Sequence, residues 1–443
     1  MIENIKYRVV VIALLFLFFS YNAVLKAQEA WDLKKCINTA KENNIELKQL
    51  KLNVTKSEIN YTRAKENIYP DLTANIKTGN YYGFIYEDPV NDIYNLGSTY
   101  VNRVQIASSF NIFSGFCNRY RKSYREGQIN TANFLFDKKF DEITLDITSF
   151  YYQILFAQEN ATLIKKRIEL LNQQKKFIEA NITIGILTKR NLLNIDYLIA
   201  KSETELLTAE NSVQQNTANL TALLGLSNKE KLNLVNTIDI SAVLLKVYDY
   251  EKVIAQAREA FPELKIGDSE IKNAESVLKQ ANSFRYPSLK LEGRINLVTW
   301  DTLDYLSKNL LRKNYQYIGL SLNIPIYKNY NIRQEIALAA VDVDIAKNKA
   351  TELSMELEKN VYKAVLDYNN AFNLFHSLQK QNDAVNEEYN YAKKLFEVGN
   401  MGIFEYAGIS ERLINAETDL LKAKYSLIIK MKVVDFYTGV IPQ

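Results

Sequence analysis

The sequence predicts a mostly α-helical protein with a small β part, built from two tandem repeats of a helix, a β-hairpin and two long coiled helices. One observation is an apolar stripe over residues 136–171, whose members recur at alternating spacings of four and three. That 3.5-residue period is typical of a supercoiled helix packed along its length. The stripe recurs 214 residues later, over residues 357–385. Each copy follows a stretch in which apolar and polar residues alternate, the period of a β-strand.

The composition favours few, long elements, because only 14 Gly and 6 Pro punctuate 443 residues. Residues 1–27 read as a signal peptide, with Lys6 and Arg8 before an apolar run over residues 9–19. An uncleaved membrane anchor is the alternative, although 11 apolar residues are too few to span a bilayer as a helix. Ala27 and Ala23 are both candidate cleavage ends.

The first repeat is predicted over residues 28–225. Residues 31–68 have a helical pattern that Pro70 closes, and a hairpin follows over residues 71–113. A helix then runs to about residue 182, Gly185 breaks it, and a returning helix ends at Gly225.

A linker over residues 226–247 precedes the second repeat, predicted over residues 248–441 with its hairpin at residues 287–326. Tyr69-Pro70 reappears as Tyr286-Pro287, and the two helix-breaking glycines return as Gly399 and Gly439. So many matches in register indicate an internal duplication.

Each hairpin has one apolar and one polar face, as in a transmembrane barrel with lipid outside and a wet lumen. A soluble, half-buried sheet is the alternative. The predicted lipid-facing residues are Leu72, Ile76, Val104, Ile106, Phe110, Leu289, Leu291, Ile295, Ile318, Leu320 and Leu322. The candidate membrane-interface aromatics are Tyr69, Tyr81, Tyr82, Phe84, Phe113, Tyr286, Trp300, Tyr315 and Tyr327.

Four strands cannot close into a barrel, and an open edge in lipid would leave backbone groups unpaired. Barrels with a lumen need about eight or more strands, so the chain must oligomerise. Two copies would supply eight strands and three copies twelve. The long helices, roughly 90 Å at the standard rise, would then form a second, helical cylinder in the periplasm.

Both repeats have the same order of elements, with a Tyr-Pro pair before each hairpin and a glycine break between the long helices. This duplicated arrangement resembles the TolC family of outer-membrane channels. This resemblance implies a homotrimer, a 12-stranded barrel and a helical tunnel. It also implies a periplasmic adaptor protein, which docks at the glycine breaks and links the channel to an inner-membrane pump. The residues placed at these adaptor-binding tips are Gly185, Leu187, Thr188, Leu192, Gly399, Gly402 and Phe404.

The resemblance also places a periplasmic aperture beside the second glycine break. The family pattern of an aromatic, an arginine and two aspartates corresponds here to Phe396, Met401, Glu405 and Gly408, so the arginine and one acid are missing. In the first repeat Asn191 stands where the family has an aspartate. A trimer would present a ring of three Glu405 carboxylates, which would favour cations; the alternative is that Glu405 is a solvated helix residue.

The sequence indicates no enzyme, metal or cofactor. The single histidine, His376, lies in a helical pattern beside Phe375, and general acid–base catalysis needs an oriented partner. No His/Cys cluster has metal-ligand spacing, and no glycine-rich phosphate loop appears. Residues 1–27 carry three basic and one acidic side chain, so the mature formal charge is +2 rather than +4, which does not favour nucleic acid as a partner.

The leading hypothesis is therefore a passive exit duct in the outer membrane of a Gram-negative bacterium. It would carry small molecules, such as drugs and toxic compounds, that an inner-membrane pump delivers through the adaptor. An outer-membrane duct for type I protein secretion is an alternative that uses the same architecture. A periplasmic coiled-coil protein that never spans the membrane is an alternative of another class.

Overall fold

The computed structural model describes residues 30–88, 93–227, 232–235, 246–299, 314–327 and 331–439. The predicted signal peptide lies outside these residues. By contacts, the described residues form two compact units. The helical unit takes its residues from Met1–Gln49, Lys138–Phe261 and Glu356–Gln443, and the sheet unit from Leu50–Asp137 and Pro262–Met355. Each unit draws on both sequence repeats.

The first repeat begins with a two-residue strand and a pair of helices, followed by a long hairpin and two long helices. Their bounds are β1 Ala30–Trp31, α1 Leu33–Asn43, α2 Ile45–Glu66, β2 Asp71–Asp88, β3 Ile93–Ser114, α3 Cys117–Thr183 and α4 Lys189–Leu223. The hairpin, the long helix and its break were all predicted within a few residues.

The second repeat has the same order of elements. The short strand β4 Asn233–Leu234 lies before it in the predicted linker, and its own members are α5 Tyr250–Ala260, α6 Pro262–Ser283, β5 Ser288–Thr299, β6 Asn314–Asn323, α7 Asn331–Glu397 and α8 Ile403–Tyr437. The long helices α3 and α7 are both 67 residues, and α4 and α8 are both 35. The helix lengths therefore agree with the internal duplication predicted from the sequence.

The first predicted helix, residues 31–68, is wrong in one respect: it is two helices separated at Asn44. The Asn44 side chain accepts hydrogen bonds from the backbone N–H groups of Glu46 and Leu47, at 2.9 and 3.1 Å, and so caps α2. Its amide nitrogen donates to the carbonyl of Leu223 at 2.8 Å. The break is therefore held by a residue of the helical unit 179 positions away in sequence, which no local pattern reveals.

The same break occurs in the second repeat with different chemistry. Phe261 separates α5 from α6, and Pro262 occupies the first position of α6, where its missing N–H costs nothing. The Phe261 ring stacks on Tyr437 and meets Phe436 edge-on, with ring centroids 5.0 and 5.1 Å away. An asparagine cap in one repeat is thus replaced by a proline and an aromatic cluster in the other.

The predicted coiled stripes form the core of the helical unit. In the first stripe Ile143, Ile147 and Ile154 are buried, and in the second Leu357, Val361 and Phe375 are buried. No helix within the described residues is both long and apolar enough to cross a membrane.

Two tyrosines, one on each of the long helices α3 and α7, hold the connecting segments to this core. The Tyr151 hydroxyl lies within hydrogen-bond distance of the carbonyls of Trp31 and Val235, beside the parallel β1–β4 ladder. Tyr368, 217 residues later, donates to the carbonyl of Lys246 at 2.7 Å. Burial raises the pKa of Tyr151 to about 12, so its hydroxyl stays protonated and remains a donor.

Strands β2, β3, β5 and β6 form one antiparallel sheet in that order, within the sheet unit. The two hairpins are joined through β3 and β5, with Phe110 opposite Leu291 and Ile106 opposite Ile295. A bulge between Asn111 and Phe113 places Phe113, rather than Ile112, opposite Leu289. The hairpins therefore build a single continuous surface rather than two separate ones.

Candidate functional site: an amphipathic sheet and two helix-turn-helix tips

The sheet has one continuous apolar face. Directly opposed residues of an antiparallel pair point to the same side, and the register opposes Ile76 to Val104, Ile106 to Ile295, and Leu291 to Leu320. All eleven residues predicted to face lipid share this side: Leu72, Ile76, Val104, Ile106, Phe110, Leu289, Leu291, Ile295, Ile318, Leu320 and Leu322.

Most of these apolar side chains are uncovered in the single chain. Leu72, Ile76 and Ile318 are 76, 74 and 83% exposed, and Leu320 and Leu322 are also exposed. An apolar surface of this extent is unusual on a soluble monomer and marks an interaction surface.

The opposite face is mostly polar along all four strands, with Val101 and Ala107 as apolar members. It carries six charged side chains together with amides and hydroxyls, namely Asp71, Thr73, Asn75, Lys77, Arg103, Gln105, Ser109, Asn111, Lys290, Glu292, Arg294, Asn296, Tyr315, Tyr317, Ser321 and Asn323. The sheet therefore separates its two faces as the sequence alternation predicted.

Aromatic residues lie at both ends of the apolar face. Tyr82 and Tyr100 continue this face beyond Ile76 towards the β2–β3 hairpin end, and Tyr100 was not among the predicted residues. Tyr69 and Tyr286, both exposed, lie two residues before the starts of β2 and β5. Tyrosines are enriched where a membrane meets water, so the positions of these four fit the two borders of an apolar band.

The other candidate aromatics lie in several different places. Phe113 shares the apolar face opposite Leu289, whereas Tyr315 lies opposite Asn296 on the polar face, because the strand register sets its side. Tyr327 follows β6 and is exposed. The side chains of Tyr81 and Phe84, and all of Trp300, lie outside the residues that the structure describes.

The outer strands of the sheet each leave one edge without a strand partner in the described residues. Strand β2 pairs only with β3, and β6 pairs only with β5. A free edge exposes a row of backbone donors and acceptors that can pair with another chain.

The two helix-turn-helix tips have the same backbone geometry. Gly185 and Gly399 both have a φ of +78°, the left-handed region that glycine adopts readily. In the first tip the N–H of Gly185 bonds the carbonyl of Ile182 at 3.0 Å, and the N–H of Ile186 bonds that of Asn181 at 2.9 Å.

The second tip repeats this pair of bonds, with Gly399 bonded to Phe396 at 3.0 Å and Asn400 to Leu395 at 2.9 Å. This is the Schellman pattern of helix termination, which satisfies the last carbonyls of the helix. The glycine breaks predicted from sequence are thus the C-terminal caps of α3 and α7.

The helices that leave the tips begin differently. Thr188 is the N-cap of α4, and the side-chain oxygen of Asn191 accepts bonds from its N–H at 3.2 Å and its hydroxyl at 2.6 Å. Asn191, predicted at the aperture, therefore also holds the start of this helix. Gly402 is the N-cap of α8, without a side-chain cap bond.

A shared core joins the two tips within the helical unit. Its buried members are Ile178, Ile195, Ile199 and Ile403, with Leu171, Ile182, Leu187, Leu192, Leu198, Phe396 and Tyr406 packed against them. The predicted tip residues Leu187 and Leu192 thus contribute to this core, and the predicted aperture residue Phe396 does so too.

Phe396 is fixed by neighbouring rings. It stacks on Tyr406 at 4.7 Å between ring centroids and meets Phe177 at 5.4 Å. The Tyr406 and Tyr389 hydroxyls are 3.0 Å apart, and burial together with that bond raises the pKa of Tyr406 to about 12. Both tips are therefore held together by aromatic packing that the isolated family pattern did not reveal.

Beyond this core the tips present apolar side chains to solvent. Ile184 and Ile186 flank Gly185 and are 69 and 67% exposed, and Val398 precedes Gly399 with 68% exposed. Phe404 is also exposed. The flanking isoleucines and Val398 were not predicted as site residues, although their place beside the breaks was visible in the sequence.

The charged residue predicted at the aperture lies next to this surface. Glu405 is exposed in the first turn of α8, where the helix dipole favours a carboxylate, and Met401 is partly buried in the turn before it. Further from the tip, Arg167 is nearly buried and donates to Glu205 at 2.7 Å and to Asn415 at 3.0 Å. Arg167 thereby ties α3 to both α4 and α8.

The described residues contain no group of three His, Cys, Asp or Glu side chains that could hold a metal ion. The geometry instead offers two surfaces for association: an amphipathic sheet with free edges, and a pair of apolar helical tips.

Comparison with known proteins identifies relatives over nearly the whole chain. The family model described as outer membrane efflux protein matches residues 36–226 and 253–440. Among solved structures, the CmeC outer membrane channel of Campylobacter jejuni aligns with a TM-score of 0.78 at 17% identity, covering 92% of this chain and 86% of CmeC.

Two further channels give a similar result. The outer membrane protein VceC of Vibrio cholerae aligns with a TM-score of 0.76 at 13% identity, covering 93% of this chain and 97% of VceC. The MtrE outer membrane channel of Neisseria gonorrhoeae, in its open state, aligns at 0.74 and 17% identity, covering 92% of this chain and 88% of MtrE. At such identities the likeness shows the fold. No curated protein matches closely enough to add to this comparison.

Proposed function

The chain belongs to the outer membrane efflux protein family, and from that premise we propose that three copies form the exit duct of a tripartite export system. Such a duct is passive: an inner-membrane pump delivers small molecules, such as drugs and toxic compounds, through a periplasmic adaptor protein. The duct then carries them across the outer membrane.

The amphipathic sheet is the observation that carries the proposal. An exposed apolar face bordered by tyrosines, with a charged face behind it, fits strands that have lipid on one side and water on the other. A soluble sheet would have to bury the same face against a partner, and the described sheet unit leaves it uncovered.

The free edges of β2 and β6 support oligomerisation in the membrane. Unpaired backbone groups in lipid cost several kcal/mol each, so the edge of one copy would pair with the opposite edge of the next. Three copies of the four-stranded sheet supply twelve strands, enough for a barrel that encloses a wet lumen.

The tips are the proposed docking surface for the adaptor. Ile184, Ile186, Val398 and Phe404 expose apolar side chains on rigid, glycine-capped turns, which is the kind of preformed patch that binds a helical partner. In the trimer three exposed Glu405 side chains would form an acidic ring beside these patches, and such a ring favours cations.

The membrane part of the proposal is tested with two neighbouring residues of β6. Leu320 lies on the apolar face and Ser321 on the polar face. If the apolar face meets lipid, Leu320→Lys costs roughly 2–4 kcal/mol near the midplane and Ser321→Lys costs little. The measurement is the free energy of unfolding in lipid vesicles, together with recovery of each variant in the outer-membrane fraction.

Equal tolerance of both lysines, or recovery of the wild-type chain as a soluble periplasmic monomer, would contradict the duct and favour the non-spanning coiled-coil protein. The cargo is tested separately with a deletion strain. Increased sensitivity to small toxic compounds supports the efflux duct, whereas loss of a secreted protein without such sensitivity supports type I secretion.

A further inference from the structure

The polar face of the sheet places two cations directly opposite each other. Lys77 of β2 is paired with Arg103 of β3, and both side chains are exposed. Like charges at directly opposed positions have Cβ atoms only about 5 Å apart and destabilise the sheet. A contribution to the stability of the sheet therefore does not explain this pair.

No acid neutralises the pair among the described residues. Among the side chains that the structure describes, the acids of the polar face are Asp71 and Glu292, and both lie opposite Ser109 in the ladder. Ser109 is six residues along β3 from Arg103, which corresponds to roughly 20 Å. That separation is about twice the Debye length of about 10 Å at 0.1 M salt.

The acids are also engaged locally. Asp71 accepts the backbone N–H of Ser109 at 2.6 Å, and Glu292 pairs with Arg294 at 2.8 Å. The Ser109 row thus holds two acids, with Lys290 and Arg294 in the neighbouring rows of the same face, whereas the Lys77–Arg103 row holds two cations and no acid among the described residues. A solute that passes this face would therefore meet positive charge at the Lys77–Arg103 row, whatever the net charge of the chain.

We propose that the Lys77–Arg103 row makes the sheet-lined part of the lumen select anionic solutes, such as small carboxylates and phosphates. This inference rests on the proposed duct, in which the polar face lines the channel and three copies place six cations at one level. Fixed charges of one sign on the low-dielectric wall of an aqueous passage concentrate counter-ions. Arginine adds bidentate recognition of carboxylate or phosphate groups.

The acidic ring proposed at Glu405 would act in the opposite sense and in series with this row. The selectivity of the sheet is therefore measured both in the wild-type chain and in a Glu405→Gln background, which removes the cation-favouring charge at the tips.

The test is the reversal potential of the full-length trimer in planar bilayers under a potassium chloride gradient, repeated with potassium acetate. In the Glu405→Gln background, adding Lys77→Gln and Arg103→Gln lowers the anion-to-cation permeability ratio by about twofold or more near 0.1 M salt. The difference between the variants disappears near 1 M salt, because charges are then screened within about 3 Å. Glu292→Gln, which frees Arg294, raises the ratio.

The matched control exchanges the two cations, Lys77→Arg with Arg103→Lys, and keeps the charge while changing the side chains. A ratio that stays at the starting value in this variant supports selection by charge. An unchanged ratio in the double glutamine variant, or an equal change in the exchanged one, overturns the inference. A wild-type chain that gives no conductance at all contradicts the proposed duct instead.

Discussion

At the residue scale, the glycines of the two tips are the positions where backbone conformation decides the local structure. A Cβ added to Gly185 or Gly399 would meet no other atom within 4 Å, so crowding does not explain the glycine. The φ of +78° does, because an L-residue is strained there by roughly 1–2 kcal/mol.

We therefore expect Gly185→Val and Gly399→Val each to destabilise the tip turn by about 1–2 kcal/mol and to weaken adaptor binding while trimers persist. Gly→Asn at the same positions is the matched control, because asparagine adopts the left-handed region at lower cost. The measurements are protease cleavage at the tips and cross-linking to the adaptor. Normal binding by both valine variants would contradict the assignment of the tips.

Asp435 is the second residue whose environment makes a sharp prediction. It is buried in α8, accepts Lys246 Nζ on both carboxylate oxygens at 2.9 and 2.7 Å, and accepts the Tyr248 hydroxyl. Lys246→Met removes both ammonium hydrogen bonds from this buried carboxylate and should lower the free energy of unfolding by about 1.5–3 kcal/mol.

The double variant Lys246→Met with Asp435→Asn should recover part of that loss, because the uncompensated charge is then gone. Denaturant unfolding of all four chains measures the coupling. Simple additivity of the two single effects would show that the contact does not stabilise the fold.

At the element scale, the first helical segment of each repeat breaks, at Asn44 in one and at Phe261 in the other, and different contacts stabilise the two breaks. Asn44→Ala removes a helix cap worth about 1 kcal/mol and a buried hydrogen bond to Leu223 worth about 1 kcal/mol. We expect a loss of about 2 kcal/mol, measured by urea unfolding in detergent.

Glu42→Ala provides the control for this prediction, since Glu42 is an exposed neighbour on α1. A loss of the same size in both variants would indicate helix propensity rather than the cap. In the second repeat the rings of Phe436 and Tyr437 take the place of the asparagine bond.

At the scale of the whole molecule, the free sheet edges predict oligomerisation, and the proposed trimer sets the number of copies at three. Three four-stranded sheets close a barrel of twelve strands, whereas two would close one of eight. We expect native mass spectrometry in detergent to give three copies of the mature chain, with removal of the signal peptide visible in the same mass. A dimer would contradict the twelve-stranded barrel.

Much of the architecture was readable from the sequence because its signals are periodic and local. The 3.5-residue stripes, the alternation of strands such as residues 71–78, and the glycines at 185 and 399 each report a backbone preference of a short segment. These signals occur in both repeats, and the family match confirms the resemblance to outer-membrane channels that they indicated.

The tertiary structure alone decided which distant residues meet. The Asn44 break depends on the carbonyl of Leu223, the side of Tyr315 depends on its register with Asn296, and the position of Phe396 depends on Tyr406. The Lys77–Arg103 row likewise exists only because two strands pair in one register. Local preference fixes the kind of element a segment forms, but contacts between elements form only in the folded chain, where burial and hydrogen bonding select one register among several.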